Sequence, residues 1–182
     1  MRVLAYILML TVMFTFGCGY AWEQYGDDND DSNGDDNQTP QGEKIQNFTW
    51  TTWDGQELNL YDYEGYVVIL AVGAGWCQGC KQETPILQSE FFEVYKDQDF
   101  IVIQLLVEDE EFNPADTADA ADWRDEFGLS FPVCIDPNWS LQDYFLEETL
   151  PFTMLLDRDL YIVKTAHEFD KEAYKLQVEQ LL

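Results

Sequence analysis

The stretch that decides the fold is Val67–Pro85, VVILAVGAGWCQGCKQETP. A β-branched apolar run, Val67 to Val72, gives way to the glycine-spaced turn Gly73-Ala74-Gly75. Then come Trp76-Cys77-Gln78-Gly79-Cys80 and a sequence able to continue as a helix. The order is strand, loop, paired cysteines, helix. A cysteine at a helix N-terminus meets unpaired backbone N–H groups and the positive end of the helix dipole, and both favour thiolate over thiol. Cys77 is therefore the expected nucleophile. Cys80 follows one turn later, placed to attack a mixed disulfide at Cys77 and release the partner. A zinc half-site or a structural disulfide would use the same C-x-x-C spacing. No second C-x-x-C or Cys/His pair is present to complete a metal site, so no metal or other cofactor is expected.

Outward from this motif, the 182 residues suit one domain with appendages. Acids outnumber bases 36 to 9, for a net charge of -27. Such a surface repels phosphate backbones, which argues against nucleic acid as a partner. Residues 44–182 carry 28 of the acids and 8 of the bases, so the acidity belongs to the folded part as well as to the N-terminal segment.

The N-terminus reads as an export signal over residues 1–17, with Arg2 followed by the apolar run Val3–Phe16. That run is shorter than the roughly 20 residues of a membrane span. Thr15-Phe16-Gly17-Cys18 resembles a bacterial lipoprotein signal, which implies cleavage before Cys18 and acylation of its side chain. Thr15 departs from the leucine-like residue usual in such signals. Residues 18–43 include DDNDDSNGDDN, with almost nothing to bury, and are expected to form a disordered, self-repelling acidic tether. A calcium loop aligned on Gly34 would place Pro40 where a bidentate glutamate belongs.

The folded domain is expected over residues 44–182. Phe48–Trp50 and Glu57–Leu60, joined across Trp53-Asp54-Gly55-Gln56, read as a hairpin. Asp62–Gly65 reads as a helical turn. A helix is expected from Cys80 to about Lys96, kinked at Pro85. Phe100–Val107 reads as a covered strand, Thr117–Phe127 as a helix closed by Gly128, and Phe131–Ile135 as a short strand. Trp139–Phe145 reads as a short helix, Phe152–Leu156 and Tyr161–Ala166 as a strand hairpin, and Lys171–Leu182 as the last helix. The pattern predicts an α/β sandwich: a central mixed sheet flanked by helices, with an N-terminal β-hairpin.

Trp76-Cys77-Gln78-Gly79-Cys80-Lys81-Gln82-Glu83-Thr84-Pro85 and Leu150-Pro151-Phe152-Thr153-Met154-Leu155-Leu156-Asp157 resemble the thioredoxin-fold, TlpA/ResA-type thiol-disulfide oxidoreductases of the alkyl hydroperoxide reductase and thiol-specific antioxidant superfamily. The resemblance covers about residues 45–182 and implies a thioredoxin-like domain with a redox-active Cys77–Cys80 disulfide. It also implies that Pro151 is a cis-proline beside the sulfurs and that Glu83 serves the resolving thiol as proton acceptor and donor. Trp76 and Leu150 would border a substrate groove. Gly73, where relatives often carry an aromatic residue, and Gly79, where they often carry proline, depart from the pattern.

By the same resemblance the activity is exchange of dithiol for disulfide with cysteines of exported proteins, as a reductant re-reduced by a membrane electron donor. The protein would be anchored through lipidated Cys18 and face the periplasm or cell exterior. A thiol peroxidase of the same superfamily would need an arginine near its cysteine, and only Arg124 and Arg158 stand in the domain. A tethered binding module with a static disulfide is the non-enzymatic alternative. Cys134 reads as a small packing residue, and His167, the single histidine, gives hydrolytic triads little to build on.

Overall fold

A computed structural model describes residues 41–182 apart from 146 and 148. The expected signal, tether residues 18–40 and Cys18 lie outside the described residues. The chain begins its contacts early: the Gly42 N–H donates to the Ile162 carbonyl at 2.7 Å, and the Glu43 carbonyl accepts from the Ile162 N–H at 2.9 Å.

Strands β1 (Thr49–Thr52) and β2 (Glu57–Asn59) form the expected hairpin, with Trp50 opposite Leu58 and Gly55 in the left-handed region its turn requires. A 3-10 turn, Leu60–Tyr63, leads to β3 (Val67–Gly73), all seven of whose residues are buried. β4 (Phe100–Leu106) runs parallel to β3, and β5 (Val133–Ile135) runs parallel to β4. β6 (Phe152–Leu156) and β7 (Ile162–Ala166) form an antiparallel hairpin with β6 against β3. The hairpin β1/β2 joins the sheet through β5, giving the order β2-β1-β5-β4-β3-β6-β7. Strands with covered faces explain why Val67–Val72 is continuously apolar, and Phe100–Leu106 apolar but for Gln104, instead of alternating.

Helix α1 (Gln78–Ile86) leaves the end of β3. It passes through Pro85, then widens into a π-helical segment, Leu87–Phe92, before closing as α2 (Glu93–Tyr95). The single helix expected to about Lys96 is thus divided. Pro85 supplies no N–H to the carbonyl four residues back, and a π turn is a common way for a helix to absorb such a break. α3 (Thr117–Phe127) starts in a capping box between Asp116 and Asp119 and ends at Gly128 with φ 59°. α4 (Lys171–Leu181) lies along the π segment, where Lys171 and Lys175 both bind Glu90. The helix expected over Trp139–Phe145 shrinks to a 3-10 turn, Gln142–Tyr144. The preceding residues are held by Asp136, whose carboxylate accepts from both the N–H and the hydroxyl of Ser140.

Candidate active site

Strand β3 delivers the site. Its last residue, Gly73, lies against the root of α1: a Cβ there would stand 3.1 Å from Cys80 Cβ and 3.2 Å from both Cys80 Sγ and Gln104 Nε2. A larger side chain at this position has no room in this packing. Cys77 is the N-cap of α1 and its Sγ accepts the Cys80 N–H at 3.1 Å. A sulfur that takes the place of a capping oxygen is where a thiolate gains most from the helix end. Cys77 and Cys80 form a disulfide with Cα atoms 5.3 Å apart, and both residues are buried.

The Leu150–Pro151 peptide is cis, and the Pro151 ring lies over the first turn of α1. A Cβ on Gly79 would meet Pro151 Cδ at 3.0 Å, so the glycine lets the two segments approach closely. Leu150 is half-buried against the core beside it. The loop before Pro151 is clamped by His167, whose Nδ1 donates to the Thr149 carbonyl at 2.9 Å while Nε2 accepts the Glu147 N–H at 3.3 Å. These two bonds together require the neutral tautomer with its proton on Nδ1.

Glu83 sits on α1 three residues after Cys80 and shares a small cavity with it. Among the described residues its carboxylate accepts only the Phe169 N–H, at 3.3 Å. Burial pushes its pKa up to about 7, with that hydrogen bond pulling weakly the other way. A carboxyl poised there can take or give a proton at neutral pH.

Trp76 is half-buried and donates its Nε1–H to Glu108 at 2.8 Å. Phe112, 67% exposed and with φ 64°, stacks on its ring at 5.2 Å. The acidic loop Glu108–Asn113 is fastened to the motif elsewhere too. Gly75 N–H donates to the Glu108 carbonyl at 2.8 Å, and Lys81 pairs with Glu110 at 2.6 Å. The motif is thus flanked by an apolar platform and by the acidic loop Glu108–Glu111. Nothing in the local sequence around Phe112 announced that role, which depends on a fold-back of more than thirty residues.

The structure brings Cys77, Cys80, Glu83 and Pro151 together, with Trp76 and Leu150 at the margin. It keeps other candidates away. Cys134, on β5, is fully buried and its thiol is pushed up to about 12 by burial. Arg124 lies over Trp53 and pairs with Asp125, while Arg158 binds the carbonyls of Gly65, Leu181 and Leu182. Neither arginine lines the cavity beside the disulfide. Sequence reasoning missed Gln104, which lines that cavity from β4. Its signal was visible as a lone amide within the apolar run FIVIQLL.

A mixed sheet with a C-x-x-C disulfide capping a helix beside a cis-proline defines a thioredoxin-like protein. The chain belongs to the AhpC/TSA family, whose model matches residues 41–171. It is 29% identical over 143 residues to the thiol-disulfide oxidoreductase ResA of Bacillus thuringiensis subsp. konkukian, covering 78% of this chain and 76% of that protein. The ResA of Geobacillus thermodenitrificans is 27% identical over 141 residues, covering 77% of each. Among solved structures, a Chlorobium tepidum protein assigned as thiol:disulfide interchange protein DsbE superposes with a TM-score of 0.66 at 26% identity, covering 78% of this chain and 96% of that one.

Proposed function

We propose that this chain is a thiol-disulfide oxidoreductase that exchanges dithiol for disulfide with cysteines of exported proteins, acting as a reductant in the bacterial envelope. The observation that carries the reading is the position of Cys77 Sγ as acceptor of the Cys80 N–H at the start of α1. Cys77 attacks a partner disulfide and Cys80 resolves the adduct. Glu83 takes the resolving thiol's proton, and Pro151 with Leu150 shapes the margin at which an extended partner segment docks. Both ResA relatives are named as oxidoreductases of this class, and the two arginines engaged elsewhere weigh against the peroxidase alternative. The Trp76–Phe112 platform offers apolar contact, and the acids beside it favour a basic partner segment.

The anchoring part of the reading rests on sequence alone. Acyl chains on Cys18 hold the domain to the membrane through the acidic tether, and a membrane electron donor re-reduces the cysteine pair. The test has two arms in a bacterial host. Wild-type protein should accelerate reduction of insulin disulfides, and Cys77→Ser should abolish that acceleration. Radiolabelled palmitate should enter the full chain and not Cys18→Ser. Background insulin reduction by wild type would overturn the enzymatic reading, and label retained in Cys18→Ser would overturn the lipid anchor.

A further inference from the structure

A cavity of about 10 Å³, enough for one water, lies behind Cys80 and is lined by Glu83, Thr84, Leu87, Gln104 and Pro151 among others. Gln104 stands on β4 directly opposite Ala71 of β3 and is 2% exposed. Its Nε2 donates to the Ala71 carbonyl at 3.0 Å. That bond fixes the amide's orientation, because a flipped amide would set oxygen against oxygen. Its Oε1 is buried and has no hydrogen-bond partner among the described residues. A buried carbonyl in this position requires a donor. The Thr84 hydroxyl cannot serve, since it already donates to the Cys80 carbonyl at 2.8 Å. Gln104 and Cys80 line the same cavity, and Gln104 Nε2 and Cys80 Sγ each stand 3.2 Å from the point where a Cβ on Gly73 would be.

We propose that Gln104 is a positioning residue for the exchange: its Oε1 holds one water in the cavity between Cys80 and Glu83, and that water carries the resolving thiol's proton to the Glu83 carboxylate. The inference rests on the exchange reading above. In the resolving step, Cys80 S–H gives its proton to the water, which passes one of its own to Glu83. The Cys80 thiolate attacks Cys77 Sγ, the Cys77–partner S–S bond breaks, and the Cys77–Cys80 bond forms. The partner sulfur leaves as a thiolate with the electron pair of the broken bond. In the reverse direction, protonated Glu83 returns the proton to Cys80 by the same water. The amide oxygen exchanges no proton; it keeps the water oriented between the two groups that do.

The test is single-turnover reaction of the reduced full chain with a chromogenic aromatic disulfide, in wild type and Gln104→Met. The first equivalent of coloured thiol reports attack by Cys77 and the second reports resolution by Cys80. Gln104→Met is expected to leave the first step unchanged and slow the second about tenfold between about pH 6 and 8, with the difference vanishing where hydroxide itself removes the Cys80 proton. An unchanged second step, or equal slowing of both steps at every pH, would overturn the proposal. A high-resolution crystal structure of wild type gives an independent reading should the variant fail to fold. A water within about 3.2 Å of Gln104 Oε1 is expected, and an empty cavity overturns the proposal. Wild type that never releases the second equivalent would overturn the exchange reading itself. Wild type and variant that release it at the same rate would overturn only the water relay.

Discussion

Glu83 shows what a single residue can be asked. Its carboxyl titrates near 7 in the folded protein instead of near 4.5, so between those values the folded state binds more protons than the unfolded one. The stability it contributes is complete below about pH 4.5 and is lost as pH rises through about 7. Glu83→Gln, which cannot ionise, should therefore be more stable than wild type at pH 8 by about 1–2 kcal/mol after allowance for solvent screening, with the gap closing at pH 5. Urea midpoints at the two pH values check this, and equal gaps at both would contradict it. The cysteine pair at the start of α1 and Cys134 as packing were legible in the sequence, because helix-end signals and burial act locally. Gly79 was legible only as an absent proline. Its closeness to Pro151 depends on a peptide more than seventy residues away.

At the scale of elements, the site depends on how closely the loop after β4 approaches the turn after β3. A Cβ on Gly75 would stand 2.7 Å from the backbone of both Asp109 and Glu110. Gly75→Ala is expected to displace the Glu108–Asn113 loop, destabilise the fold by about 1–3 kcal/mol and weaken the Trp76–Phe112 stack. Thermal unfolding and the Trp emission spectrum would register the two effects, and a wild-type melting curve with unchanged emission would contradict the account. Most strands and helices were legible, because covered strands, hairpin turns at Asp54-Gly55 and the stop at Gly128 are short-range signals. The division of the helix after Pro85 was only half legible. Proline announces a break, but whether the chain answers with a kink or a π turn is set by packing against β4 and α4. The pairing of β1 with β5 had no signal at all, since strand partners distant in sequence are chosen by the whole sheet.

For the whole molecule, charge is the dominant property. A net of -27, with acids gathered around Lys81 and with Glu108 bonded to Trp76, makes a field that a cationic partner approaches faster than an anionic one. Disulfide peptides flanked by lysines should react faster than the same peptides flanked by glutamates, by about tenfold or more at low ionic strength, and the ratio should fall toward one near 1 M salt. A ratio of one at low salt would remove the field from the account.

The central claim is that Cys77 and Cys80 act in succession at the start of one helix, and the product formed by Cys80→Ser tests it most directly. Reduced Cys80→Ser, mixed with a chromogenic disulfide and analysed by peptide mass, should release one equivalent of thiol and retain a stable adduct on Cys77, where wild type releases two and closes its disulfide. An adduct on Cys134, or none on Cys77, would contradict it.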